Sequence, residues 1–385
     1  MEVVNLGISD LEDRDECIKT LSLGKIKTFL QHFGKVKFVQ GEKIDQNFDI
    51  KELKCGGNHT LILLSNGLLL GAGNLKELRN DKYTVDDHWV LLNNKIYDIV
   101  LSEYDEVDFE EYKVESVSTC WDSSFIALKS IKESGPSLVL SFGQQSKSEL
   151  GREQSSNKYT ILEINKAIDL KLHSCLYTTV LVAKSQNMTD IFGWGFNNKG
   201  QLKVIENKAD KQIKVPTLLS QYTDSQDIVC RMGKDFVVIC DYKNQTIQIK
   251  GNSSIVETFS KTNFNLNDIH HVDTMWSSIH FNKENTILGI GNDQLGQLSM
   301  NNKTLPKAKF LKCGSEHMIY VSIEEPNVVK SWGWGEHGNC GVFTGDEDKN
   351  SQLVFYEPNV IYEAKEDEEI INVYGGCATT FILTV

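Results

Sequence analysis

A chain of 385 residues with 40 Lys and Arg against 53 Asp and Glu carries a formal net charge of −13. It shows no dense basic run, so free nucleic acid is excluded as a direct ligand class unless the cations gather on one face. The length exceeds a typical domain of about 100–200 residues, which leaves either several domains or one architecture that grows by repetition.

Five prolines and 40% hydrophobic residues fit a folded chain with a sizeable core and no long disordered tail. The nine cysteines are odd in number and include no C-x-x-C pair, a pattern that suits a reducing compartment. The opening Met1-Glu2-Val3-Val4 soon turns acidic through Glu12, Asp13, Asp15 and Glu16, against the charge of a secretory or transit segment. No apolar run approaches the roughly 18 residues of a membrane span. These features predict a soluble intracellular protein, in the cytoplasm and with the nucleus left open.

In chain order, Val3 to Ser9 reads as a lone strand element. A repeated unit then begins: a β-prone residue, a small-residue turn, His or Thr, and an apolar strand. Its clearest copy is Leu53-Lys54-Cys55-Gly56-Gly57-Asn58-His59-Thr60 followed by LILL. Others are VSTCWDSSFIAL from Val117, LHSCLYTTVLV from Leu172, VCRMGKDFVVI from Val229 and VDTMWSSIHF from Val272. LKCGSEH from Leu311 and VYGGCATTFIL from Val373 complete seven anchors. Downstream of several, a strand ends in G-x-G or W-G and a polar tip, as in FGWGFNNKGQL from Phe192 and LGIGNDQLGQL from Leu288.

Each unit predicts a small sheet that cannot bury its own apolar face, so the units must stack. Radial stacking protects all but short edges. The expected fold is all-β, a single seven-bladed β-propeller over 1–385. The last anchor ends at Val385 without a downstream strand pair, and Val3–Ser9 resembles the missing element, so the two termini are expected to close one blade together. Acidic stretches at about 102–115 and 363–370 read as solvated loop insertions.

The anchors and G-x-G strands resemble the regulator-of-chromosome-condensation repeat family across essentially the whole chain. SWGWGEHGNCG from Ser331, GGCATTFIL from Gly375, MGKDFVVI from Met232 and MWSSIH from Met275 resemble one branch more closely. The loops are longer than in that branch, and the first blade is degenerate. The resemblance implies a seven-bladed propeller without enzymatic activity or cofactor. It implies a heterodimer with a small zinc-ribbon protein of diphthamide biosynthesis, linked indirectly to the Elongator complex and tRNA wobble-uridine modification. The alternative within the family is guanine-nucleotide exchange on a small nuclear GTPase; the chain lacks a basic N-terminal tail that would favour it. A tubulin-linked role ranks last, since an acidic chain and acidic tubulin repel.

Cys55 with His59 and Cys313 with His317 have half-site zinc spacing, but they are one repeat position seen twice, so no metal is expected. No nucleophile elbow or phosphate loop is present, so no catalytic residue is expected. The anchor turns should share one end of the propeller and present Asn58, Trp121, Asp122, Tyr177, Lys234, Asp235, Met275, Trp276, Ser277, His280, Glu316, His317 and Cys377. Aromatic and methionine side chains beside a few charges suit the centre of a protein interface. The turns after the G-x-G strands form a second candidate surface, with Glu336 and His337 exposed there and Trp332 and Trp334 in the core. Direct contact with nucleic acid or membrane is not expected.

Overall fold

A computed structural model describes residues 2–6, 18–22, 49–79, 82, 84–85, 89–104, 111–132, 135–153, 155–203, 210–223, 227–262, 265–341 and 354–385. The chain divides into two compact units, Lys25–Asn252 and Met1–Gly24 with Ser253–Val385. It is an all-β chain with a β-propeller fold, built from small antiparallel sheets numbered here by their anchors.

The first unit holds four sheets. Sheet 1 is Ile50–Cys55, His59–Leu64, Leu69–Gly73 and Trp89–Leu91. Sheet 2 is Tyr112–Thr119, Ser123–Ser130, Pro136–Gly143 and Thr160–Asn165. Sheet 3 is Asp169–Cys175, Thr178–Lys184, Met188–Phe196 and Gln212–Thr223, and sheet 4 is Ile228–Met232, Phe236–Asp241 and Thr246–Gly251. The other unit holds sheet 5 (His271–Thr274, Ser278–Lys283, Thr286–Gly291) and sheet 6 (Ala308–Cys313, His317–Ser322, Val328–Trp334, Val354–Glu363). Those six sheets use consecutive strands. Sheet 7 joins Ile370–Gly375 and Thr380–Thr384 to Glu2–Leu6 and Ile18–Ser22, with Val4 opposite Ile382.

The core lies as slabs between successive sheets. Phe125, Ala127 and Val139 of sheet 2 pack on Leu170, Leu172, Leu181 and Trp194 of sheet 3. Ile319, Val321 and Val329 of sheet 6 pack on Ile370, Val373 and Ile382 of sheet 7. The middle strand of sheet 6, the wholly buried His317–Ser322, is apolar on both faces, because Ile319 and Val321 pack on sheet 7 while Met318 and Tyr320 pack with Met275 of sheet 5.

Polar ties set the stacking register on the leading strands. The Glu52 carboxylate accepts the Val117 amide at 2.7 Å and the Ser116 hydroxyl at 3.0 Å. Ser116 Oγ, at the equivalent position of sheet 2, accepts the Leu172 amide of sheet 3 at 3.0 Å. In the other unit, Asp273 Oδ2 accepts the Cys313 amide at 2.9 Å. The leading strands of sheets 1 and 2 also carry bulges, between Ile50 and Glu52 and between Val114 and Ser116.

The sequence reading missed two short helices. Asn93–Leu101 buries Ile96, Ile99 and Val100 on one side. Its buried Asn93 ties it to sheet 1, accepting the Leu69 amide at 2.8 Å and donating to the Gly67 carbonyl at 2.9 Å. Ser253–Ser260 follows the last strand of sheet 4 and buries Ile255. The acidic stretch 102–115 is also shorter than a loop insertion: its end belongs to the strand Tyr112–Thr119, and 105–110 lie outside the described residues. Between Glu363 and Ile370 the chain turns between two strands.

Candidate functional site

Six of the seven anchors close their turn with the same backbone bond. In sheet 1 the Gly56 amide donates to the His59 carbonyl; the equivalents are Cys120 to Ser123, Gly233 to Phe236, Met275 to Ser278, Gly314 to His317 and Gly376 to Thr379, at 2.8–3.1 Å. The residue after each G-x-G strand returns to this turn. Asn74, Gln144, Phe196, Asn252, Asn292 and Trp334 donate to the carbonyls of Asn58, Asp122, Tyr177, Asp235, Ser277 and Glu316 at 2.8–3.0 Å. This corrects the sequence reading: within each sheet the two candidate surfaces lie at the same end. Glycine makes that return possible. Gly195 has φ +98°, and a Cβ there would stand 2.2 Å from the Tyr177 carbonyl oxygen, so any side chain meets both strain and a clash.

Adjacent turns are also linked. The Gly57 amide donates to the Trp121 carbonyl at 2.8 Å, and Trp121 donates to Leu176 at 2.7 Å. In the other unit Trp276 donates to Ser315 at 2.7 Å and Ser315 to Gly376 at 3.0 Å. The turns are therefore fixed by tertiary bonds rather than left as mobile tips. The Trp121 ring lies across Gly57, where a Cβ would come within 2.6 Å of it. Lys147 stands over Tyr177 at 4.0 Å and over Phe196 at 4.6 Å from the ring centres, a cation–π arrangement.

Five of the proposed contact residues do not present free side chains, which is a correction. Met275 is 1% exposed and packs with Met300, Met318, Tyr320 and Trp332. His280 is buried in a middle strand with Nε2 at 2.9 Å from Ser278 Oγ. His317 is fully buried, its Nε2 at 3.0 Å from Thr380 Oγ1 of sheet 7. Glu316 and Ser277 are both 6% exposed. Glu316 Oε2 accepts from Ser277 Oγ at 2.8 Å and from Gln297 Nε2 at 2.9 Å. A buried carboxylate must be satisfied in this way, so Glu316 fastens the Gly-Gln-Leu tip of sheet 5 to the turn of sheet 6.

The remaining residues stay at the end of the sheets. Asn58 and Lys234 are exposed, and Trp121, Asp122, Tyr177, Asp235, Trp276 and Cys377 are half-buried. In the first unit the structure brings Asn58, Trp121, Asp122 and Tyr177 together on linked turns; in the other it brings Trp276 beside Ser315 and the turn holding Cys377. Glu336 and His337 are half-buried rather than exposed: Glu336 Oε2 accepts Trp334 Nε1 at 3.1 Å, and His337 meets the Trp334 ring edge-on at 5.2 Å. Trp332 is core, at 1% exposure, whereas Trp334 is half-buried. Lys147 and Gln297 were missed, although Gln297 sits in the repeated Gly-Gln-Leu motif.

Burial disarms three histidines and three cysteines. Burial lowers the His59 and His280 pKa to about 4 and that of His317 to about 3, so all three are neutral. Burial pushes the Cys120, Cys230 and Cys340 thiols up to about 12, far from the thiolate that nucleophilic chemistry needs. The two Cys–His pairs act as packing units. His59 Nε2 lies 3.0 Å from Ser124 Oγ of sheet 2, just as His317 reaches Thr380 of sheet 7.

No protein-family model matches the chain. An RCC1 repeat-containing protein of Schizosaccharomyces pombe is 24% identical over 307 residues, covering 76% of this chain and 80% of the relative. That similarity supports an RCC1-like chain. The crystal structure of human WBSCR16 superposes over the full length of both chains with a TM-score of 0.60 at 13% identity, which supports the propeller fold alone. Prp20p of Saccharomyces cerevisiae, described with its binding to Gsp1p and histones, aligns with a TM-score of 0.42 at 16% identity, covering 88% of this chain and 69% of its own.

Proposed function

We propose that this chain is a non-enzymatic protein-binding platform whose contact face is the anchor-turn end of its sheets. In this reading the seven sheets form one closed, seven-bladed ring, with sheet 7 as the clasp between the two ends of the chain. The observation that carries the reading is the set of half-buried aromatics, Trp121, Tyr177 and Trp276, held on turns that neighbouring sheets fix by backbone bonds. Large side chains on a rigid frame lose little entropy on docking, which is the make-up of interface hot spots. The neutral buried histidines and protonated buried thiols support a binding role over catalysis.

The partner we propose is the small zinc-ribbon protein of diphthamide biosynthesis, acting in the cytoplasm and linked through that partner to Elongator-dependent wobble-uridine modification. The segment resemblances from Met232, Met275, Ser331 and Gly375 support it. Mixing the two purified proteins is expected to give a one-to-one complex at micromolar concentration. No complex under those conditions, together with accelerated nucleotide release from the small nuclear GTPase, would replace this reading with an exchange-factor role.

A further inference from the structure

In the first unit the tips that follow the third strands of sheets 1 to 3 each lean on the next sheet. Lys76 Nζ donates to Gln144 Oε1 of sheet 2 at 3.3 Å, and the Glu77 carboxylate accepts the Gly143 amide there at 2.8 Å. Lys147 of sheet 2 stands over the Tyr177 and Phe196 rings of sheet 3, and Ser148 Oγ donates to Gln212 Oε1 at 2.8 Å. Gln201 of sheet 3 has its Cβ 3.0 Å from where a Cβ on Gly251 of sheet 4 would stand.

The three tips are one repeat. Lys76, Ser148 and Gly200 take φ of +51°, +63° and +75°, and Glu77, Glu149 or Gln201 follows. Lys147 and Lys199 therefore hold one position and Lys76 the next, so successive sheets each bring a lysine to this end. In the other unit the same position is Leu295 or His337, ahead of Gly296 and Gly338. Among the described residues no carboxylate pairs with any of the three lysines. The Glu77 and Glu149 carboxylates accept backbone amides, of Gly143 and of Ser146 and Lys147. Asp235, beside the exposed Lys234, accepts Asn252 Nδ2 at 2.9 Å, which leaves Asp122 against the row. In a chain of net charge −13 these tips form a local cationic surface.

We propose that this row docks an acidic segment of a protein partner, with Lys147 as the central contact and Lys76 and Lys199 beside it. The inference rests on the reading of the anchor-turn end as the contact face and gives that face its chemistry. Two ring faces, rather than a carboxylate, hold the Lys147 ammonium, so its charge is not neutralised and its position is set before docking. The apolar part of the surface lies alongside: Trp121 and Tyr177 sit on turns joined by the Trp121 amide and the Leu176 carbonyl at 2.7 Å. Leu176 has φ +52°, a left-handed conformation that leucine rarely adopts and that the turn tips of sheets 1, 2 and 4 do not share, strain of the kind kept at binding surfaces. Single-stranded nucleic acid fits less well. Lys147 covers one face of Tyr177 and of Phe196, and the Trp121 ring lies across Gly57, which takes away the open stacking platform that bases need.

The test uses the full chain with two probes, poly-glutamate and the zinc-ribbon protein, at low and at physiological ionic strength. The parent is expected to bind poly-glutamate at low ionic strength and to release it as salt screens the charges. Lys76→Gln/Lys147→Gln/Lys199→Gln is expected to bind it at least about tenfold more weakly. Lys166→Gln, at the opposite end of sheet 2, should change nothing, and Lys147→Arg should keep the affinity, because a guanidinium also stacks on aromatic rings. Toward the zinc-ribbon protein the triple variant should lose affinity mainly at low ionic strength, and Trp121→Ala at both. A loss with Trp121→Ala alone would overturn the acidic-segment proposal and leave the contact face standing; no loss with either variant would overturn both. A parent that does not bind poly-glutamate, or that binds oligouridylate more tightly through the same lysines, would also overturn it, the second in favour of nucleic acid. If the triple variant fails to fold, Lys76→Gln/Lys199→Gln decides: unchanged poly-glutamate affinity overturns the row.

Discussion

Sheets 1 and 6 on one side, and sheet 2 on the other, solve the same packing problem from opposite ends of one turn. In sheets 1 and 6 the turn opens with Gly56 or Gly314 and ends in a histidine whose ring crosses to the next sheet, meeting Ser124 or Thr380. In sheet 2 the order is reversed: the turn opens with Cys120 and ends in Ser123, and the Cys120 sulfur lies 3.5 Å from Thr179 Oγ1 of sheet 3. Ser124, Thr380 and Thr179 are the same repeat position, a hydroxyl near the start of the second strand. The comparison teaches that the conserved quantity is the filled space beside that hydroxyl, and that imidazole or thiol can fill it. It also explains why a zinc-like C-G-x-x-H spacing recurs without the pairs converging.

Exchanging one solution for half of the other should cost most. A Cβ at Gly314 would fall 2.0 Å from His317 Cε1, so Gly314→Cys is expected to destabilise the chain by about 3 kcal/mol, the upper range for overpacking. Adding His317→Ser should recover much of that loss, because the pair then copies sheet 2. Denaturant titration of the two variants checks this, and a double variant no better than the single would break the comparison.

Next comes the glycine that returns each G-x-G strand to its turn. Gly333 has φ +104°, with a Cβ position 2.6 Å from the Glu316 carbonyl. Gly333→Ala is expected to cost about 2 kcal/mol in the same titration, whereas Gly338→Ala, where φ is +80° but no atom lies within 4 Å, should cost about 1 kcal/mol.

Acid should separate the histidine sheets from the cysteine sheet. The unfolded chain protonates histidine near pH 6.5, whereas folded His59 and His280 resist until about 4 and His317 until about 3. Below pH 6.5 the unfolded state therefore binds more protons, and stability falls as pH drops toward 4; above 6.5 these groups add no slope. Unfolding measured at pH 7, 6, 5 and 4 should show the decline, and His317→Asn should make it shallower. The smallest effect concerns the thiols: a thiol-reactive probe at pH 8 should leave Cys120, Cys230 and Cys340 unlabelled in the native chain and label them on unfolding.

Much of the fold was legible because the repeat forces it. Anchors such as Leu53–Thr60 and Leu311–His317 carry their turn glycine, their crossing histidine and an apolar middle strand in sequence order. What periodicity could not reveal was tertiary. The helix Asn93–Leu101 is specified by Ile96, Ile99 and Val100 together with a buried asparagine that bonds back to Gly67 and Leu69, a tie between distant residues. The site was legible as a set of turns but not residue by residue. Glu316 read as an exposed charge, yet its partners Ser277 and Gln297 belong to another sheet. Replacing Glu316 would therefore disturb the frame along with the surface, and the half-buried Trp121 and Trp276 are the cleaner probes: Trp121→Ala/Trp276→Ala is expected to weaken the partner complex by about 100-fold or more, two hot-spot losses, with little change in the denaturation midpoint.

The binding claim meets its most direct test in amide exchange of the chain alone and with the zinc-ribbon protein bound. The account expects new protection on the anchor turns around Gly57, Trp121, Tyr177, Trp276 and Ser315. Protection confined to the edge strands Gln212–Thr223 and Val354–Glu363, with the turns unchanged, would contradict it.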